Sequence, residues 1–155
     1  MKILLLSDSH GIDGTIYEAY DRERPDKVFF AGDGISGMLE FRDCYADPSV
    51  ETYMVCGNCD FDHFGEFGFS QTINVKDRRV FLTHGHREHV KSGLSYLVTE
   101  AKLRGCDVAV FGHTHVQTDI SKDGVRTVNP GAAASGRYGL ITIDDSGIEV
   151  SLKKI

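Results

Sequence analysis

The chain has 155 residues, 41% of them hydrophobic and 26% charged, which is the size and balance of one ordinary globular domain spanning 1–155 and excludes a disordered or fibrous protein. Its net charge of -6 argues against a general nucleic-acid-binding surface, which would carry a basic stripe. An anionic substrate is not excluded, because a bound pair of divalent ions would dominate the field in its own site.

The chain opens with KILLLS, an apolar run too short for a signal peptide or a membrane span. No other stretch approaches membrane length, so no membrane partner and a cytoplasmic location are expected. Residues 3–7, 28–31 and 52–56 read as strands, with room for crossover helices over 13–23 and 35–45; this is a β-α-β-α-β opening and hence a parallel sheet. SQTINV and RRVFLT are separated only by Lys76 and Asp77, which admits nothing but a hairpin. Val90, Leu94, Leu97, Val98 and Ala101 recur at helical spacing over 90–104, and Gly105 stands where a terminating glycine belongs. DVAVF then reads as a strand. The last forty residues hold two further hairpins, turning at Lys122-Asp123-Gly124 and at Asp145-Ser146-Gly147, and are expected to build a second, largely antiparallel sheet. The predicted fold class is α/β: a two-sheet mixed β sandwich flanked by helices.

Five of the apolar runs end on residues that bind metals. KILLLS leads into Asp8 and His10, KVFFAG into Asp33, TYMVCG into Asn58, RVFLT into His84, and DVAVFG into His113 and His115. Open α/β sheets bind ligands beyond the carboxyl ends of their strands, so these seven side chains are expected at one rim. Seven ligands exceed one tetrahedral ion and suit a pair. On extended backbone, Asp8 and His10 would point the same way, and a single carboxylate such as Asp33 can bridge two cations with its two oxygens. Two imidazoles two residues apart, as in Gly112-His113-Thr114-His115, have few purely structural uses.

The ordered series D-x-H, G-D, G-N, H-G-H and G-H-T-H resembles the calcineurin-like metallophosphoesterases, in particular the small bacterial and archaeal phosphodiesterase branch that includes the retromer subunit of vacuolar sorting. The likeness runs over nearly the whole chain, through Asn129-Pro130-Gly131. It implies a four-layer metallophosphoesterase fold, with Asp8, His10, Asp33 and His115 on one ion, Asn58, His84 and His113 on the other, and Asp33 bridging. It also implies two divalent metal ions, manganese first, with nickel, iron or zinc as alternatives that a mixed oxygen and imidazole set does not separate. The implied reaction is phosphoester hydrolysis by a hydroxide generated between the ions. Family members often form dimers or tetramers.

Relatives that cleave phosphomonoesters carry a histidine after Gly-Asn, thought to protonate the leaving group. This chain has Cys59 there, and a thiol replaces an imidazolium acid poorly near neutral pH. A small phosphodiester substrate is therefore expected. His86 is a candidate catalytic or ligand-orienting group, and Arg137 and Asn58 are candidate substrate contacts, with an exposed surface role the simpler reading of Arg137. His63 and His89 read as surface or packing histidines, and Asn129-Pro130-Gly131 as a structural turn. Two other functions compete: a non-catalytic interaction module on the same fold, and a redox protein centred on Cys56 and Cys59.

Overall fold

The computed structural model describes residues 1–155. Strands β1 (Lys2–Leu6), β2 (Lys27–Phe30) and β3 (Glu51–Met54) run parallel, joined by helices α1 (Gly14–Glu23) and α2 (Ile35–Cys44). Ile3 to Leu6 are fully buried, as a strand covered on both faces requires. Alternation divides them: Leu4 and Leu6 pack with Val28 and Phe30 beneath the two helices, while Ile3 and Leu5 join Phe29 and Ala31 in a second core.

The hairpin β4 (Ser70–Val75) and β5 (Arg78–Thr83) turns at Lys76-Asp77 as expected, with Lys76 left-handed at φ 53°. The helix expected over 90–104 is two pieces, a 3-10 turn Val90–Ser92 and helix α3 (Ser95–Leu103). Gly93, at φ 135°, divides them with a backbone angle that an α-helix does not contain. The apolar stripe survives the break, since Val90, Leu94, Leu97, Val98 and Ala101 pack into one cluster with Phe81, Ala109 and Phe111. Strands β6 (Val108–Val110), β7 (Thr118–Lys122), β8 (Val125–Asn129), β9 (Arg137–Asp144) and β10 (Gly147–Lys154) complete the chain.

Two five-stranded mixed sheets result, ordered β10-β9-β1-β2-β3 and β4-β5-β6-β8-β7. This corrects one expectation: the last forty residues do not form a sheet of their own. The β7–β8 hairpin adds to the second sheet with β8 parallel to β6, whereas β9 and β10 cross to the first sheet, where β9 runs antiparallel to β1. The cause lies in β9, which is apolar on both faces. Tyr138 and Leu140 lie under the helices and Ile141 and Ile143 between the sheets, so β9 needs a neighbour on either side, while β10 buries one face only partly and serves as the edge. Between the sheets lies a dry layer that includes Val55, Val80, Val108 and Val128, and α3 covers the outer face of the second sheet. The order is helix, sheet, sheet, helix, as the run lengths predicted. No helix is long and apolar enough to cross a membrane.

Candidate metal centre

The carboxyl ends of β1, β2, β3, β5 and β6 meet at one rim, and the structure brings all seven predicted ligand residues there. They arrive by a route the sequence did not indicate. Asp8, His10, Asp33, His113 and His115 all have left-handed backbone, with φ between 48° and 65°, so the D-x-H pair is not extended. Each such residue costs on the order of 1 kcal/mol or more, a strain found where function over-determines the backbone. Gly57 and Gly112 allow the loops to close: a side-chain carbon at Gly57 would take the place of Asp33 Oδ1, and one at Gly112 would collide with Ser7 Oγ.

Two groups of ligand atoms form, Asp8 with His10 and His115, and Asp33 with His84 and His113, the atoms of each lying within 4.8 Å of one another. In the first, His115 Nε2 is 3.1 Å from Asp8 Oδ1 and 3.3 Å from His10 Nε2. In the second, His84 Nε2 lies 3.3 Å from Asp33 Oδ2, 3.2 Å from Asn58 Oδ1 and 3.2 Å from His113 Nδ1. His84 Nδ1 is 2.6 Å from the Ala31 carbonyl, which can only accept, so Nδ1 holds a proton and Nε2 is the nitrogen turned toward those three atoms. Asp8 is fully buried. Its Oδ2 accepts from Ser7 Oγ at 2.6 Å and from the His113 amide at 3.0 Å, yet buried Oδ1 has no hydrogen-bond donor. Oxygen and imidazole nitrogen atoms converging beside an orphaned buried carboxylate oxygen form a donor set that fits divalent cations.

The electrostatics agree. Burial opposes ionisation of Asp33, but His84 and the Cys59 amide, 2.7 Å from Oδ1, override it and hold the carboxyl well below the usual range. Burial likewise opposes a charge on His84, and the carboxylates of Asp33 and Asp8 outweigh it, so its pKa is raised. At His113 burial, with His84 and nearby cations repelling a further charge, outweighs the Asp33 carboxylate, and the pKa falls to about 4.

Asp60 was not singled out in the sequence. It is buried and accepts the backbone N–H groups of Asp33 (2.7 Å), Gly34 (2.8 Å), Ile35 (2.9 Å) and Gly57 (2.8 Å), fastening the Asp33 loop to the Asn58 loop and capping α2. The signal available was a carboxylate two positions after Asn58, where a glycine-containing loop leaves amides to satisfy. Buried Asn129 donates to the Gly112 carbonyl at 2.8 Å and to Thr114 Oγ1 at 3.0 Å, so its turn does brace the G-H-T-H loop. Arg137 is half-buried beside the rim, its Nη1 donating to the His115 carbonyl at 3.3 Å. His86 stands 5.4 Å, ring to ring, from His84, with burial and the neighbouring His84 pushing its pKa down. His89 packs against Tyr96, and His63 bonds to Ser36. Cys56 and Cys59 are free thiols, and burial raises both, Cys56 to about 11; a reactive dithiol needs the opposite shift.

The sequence model of the calcineurin-like phosphoesterase superfamily domain matches residues 1–144. The chain belongs to that superfamily. It is 31% identical to the probable metallophosphoesterase YsnB of Bacillus subtilis over 97% of this chain and 89% of that protein. It is 29% identical to phosphodiesterase MJ0936 of Methanocaldococcus jannaschii, over 92% and 90% of the two chains. The structure of wild-type Vps29 from Entamoeba histolytica complexed with zinc superposes with a TM-score of 0.78 at 19% identity, covering 100% of this chain and 98% of that one, which establishes a common fold.

Proposed function

We propose that this member of the superfamily is a dimetal phosphodiesterase acting on a small phosphodiester. The observation that carries the reading is the rim itself: two clusters of candidate ligand atoms within one site, the buried Asp8 oxygen without a hydrogen-bond partner, and His84 Nε2 facing Asp33, Asn58 and His113. Asp8, His10, Asp33 and His115 would hold one ion, and Asp33, Asn58, His84 and His113 the other. When bound, two divalent ions supply a water of lowered pKa and positive charge for the phosphate oxygens.

The chain's own residues do the rest. The Ala31 carbonyl fixes the tautomer and plane of His84, the Cys59 amide holds one Asp33 oxygen so that the other faces His84, and Asp60 sets the spacing of the two loops. Arg137, anchored on the His115 carbonyl, is placed to meet an anion at the rim. The relative named a phosphodiesterase, and the thiol at Cys59 where monoesterases carry an acid, favour the diester over the monoester. Every ligand position keeps a ligating side chain, which weighs against a purely non-catalytic interaction module.

The test is hydrolysis of bis(4-nitrophenyl) phosphate and 4-nitrophenyl phosphate by metal-stripped protein, with manganese, nickel, iron, zinc or magnesium restored separately. Metal-restored turnover with the diester ahead is expected. Turnover favouring the monoester would discard the specificity, and no turnover with any ion would leave the interaction module standing.

A further inference from the structure

Outside the ligand set, three side chains form a hydrogen-bonded row that the metal chemistry does not use. Ser36, the second residue of α2, has its hydroxyl oxygen 2.8 Å from His63 Nε2, and His63 Nδ1 lies 3.3 Å from a carboxylate oxygen of Glu66. The acceptor-only carboxylate places the His63 proton on Nδ1 and leaves Nε2 to face the serine. His63 is seated between the exposed Ser36 and Glu66. Phe67 packs edge-on against the His63 ring at 6.3 Å, the His63 amide donates to the Asp60 carbonyl at 3.0 Å, and the Cys56 thiol meets the His63 carbonyl at 3.5 Å.

Its position relative to the rim gives it meaning. Ser36 lines a cleft of 260 Å³ together with His10, Asp33, Cys59 and Asp60, so it shares one open space with a residue of each cluster. Cys59 lines the same cleft, and it occupies the position after Gly-Asn where the resemblance places a leaving-group acid. Cys59 and Ser36 line one cleft, and the His63 imidazole stands behind Ser36.

We infer that Ser36, His63 and Glu66 form a proton relay to the leaving group of the phosphodiester, with Ser36 the catalytic donor and His63 and Glu66 the residues that charge and position it. The inference rests on the phosphodiesterase reading. His63 first takes a solvent proton on Nε2; as the ester P–O bond then breaks, the leaving oxygen takes the Ser36 hydroxyl proton and Ser36 takes that Nε2 proton. His63 ends neutral, with Nδ1–H still on Glu66, and is recharged from solvent. The proton balance closes without a covalent enzyme intermediate, and the natural leaving group is thereby assigned to the alkoxide class, which needs the proton, rather than to a stabilised phenolate.

The experiment is a leaving-group series, aryl methyl phosphates from 4-nitrophenyl to phenyl, with metal-loaded wild type, Ser36→Ala, His63→Gln and Glu66→Gln. Expected is a steeper dependence on leaving-group basicity in Ser36→Ala and His63→Gln, the phenyl ester losing about tenfold more than the 4-nitrophenyl ester, and a smaller change in Glu66→Gln. Equal losses across the series, or an unchanged slope, would overturn the relay while leaving the phosphodiesterase intact. Failure of the wild type on the 4-nitrophenyl ester would instead remove the reading beneath it. In metal-free protein, imidazole nitrogen NMR should show His63 held as the Nδ1–H tautomer, with an Nε2 resonance that moves in Ser36→Ala; free tautomer exchange in the wild type would also overturn it.

Discussion

Two clusters of buried charge in this molecule are built on opposite principles. Around Glu23, at the end of α1, the carboxylate accepts from Tyr138 Oη at 2.8 Å and from Lys153 Nζ at 2.9 Å, with Lys2 Nζ 3.9 Å away. Helical and strand backbones carry those groups without strain, and the protein meets its own electrostatic demand. At the rim, Asp8 and Asp33 are also buried, but five of the candidate ligand residues sit on left-handed backbone, Asp8 Oδ1 lacks a hydrogen-bond partner, and imidazole nitrogens converge on one another. The first cluster is complete as folded. The second leaves buried polar atoms unsatisfied by the protein itself, and the difference between satisfied and unsatisfied burial separates structural charge from charge available for chemistry.

The largest break in that contrast should come from Asp33→Asn, which removes the shared anion. Turnover with restored metal is expected to fall by about a thousandfold or more, which is several kcal/mol of transition-state stabilisation, with bound metal measured alongside. Near-normal activity would refute the bridging role. Asp60→Ala leaves every ligand in place but frees the amides that tie the two loops, so metal affinity should drop by roughly ten- to a hundredfold, read by competition with a chromogenic chelator. An unchanged affinity would mean that the loops hold their spacing without it.

The satisfied cluster predicts the reverse pattern. Burial opposes the charge on Glu23, but hydrogen bonds from Lys153 and Tyr138 outweigh it and lower its pKa. A depressed carboxylate contributes stability that is present above its unfolded pKa, near 4.5, and is lost as the pH falls through the folded value below that. Glu23→Gln should therefore cost about 1–2 kcal/mol at neutral pH, with the gap to wild type closing in acid and metal affinity untouched. Equal unfolding midpoints at pH 7 would contradict it. The smallest effect is expected from Cys59→His, which should raise monoester relative to diester turnover by about three- to tenfold; an unmoved ratio would sink the leaving-group argument.

The convergence of the seven side chains at one rim was legible because its signal is local: an apolar strand ends, and the next residues carry oxygen or imidazole. The sandwich was legible because run lengths and turn residues mark each strand, hairpin and crossover helix. The destination of β9 and β10 was not, since hairpin spacing tells which strands pair with each other but not which sheet receives the pair; only Tyr138, Leu140, Ile141 and Ile143 together, buried on opposite faces, decide it. Asp60 was silent because its work is done on backbone amides 25 to 27 residues away, which no side-chain pattern records. The division of the 90–104 segment turned on one glycine angle, invisible to the period of the apolar stripe.

The ligand residues are also divided by address. Asp8, His10, Asp33 and Asn58 follow strands of the first sheet, whereas His84, His113 and His115 follow strands of the second. A cation gripped by both groups is a rivet through the seam of the sandwich, resisting the same parting motion that the dry layer between the sheets resists. Unfolding would have to shear that rivet, so occupancy at a hundred times the dissociation constant would add about 2.7 kcal/mol to the stability of the whole chain. Chelation should loosen the two halves together, coupling metal supply to the lifetime of the folded protein.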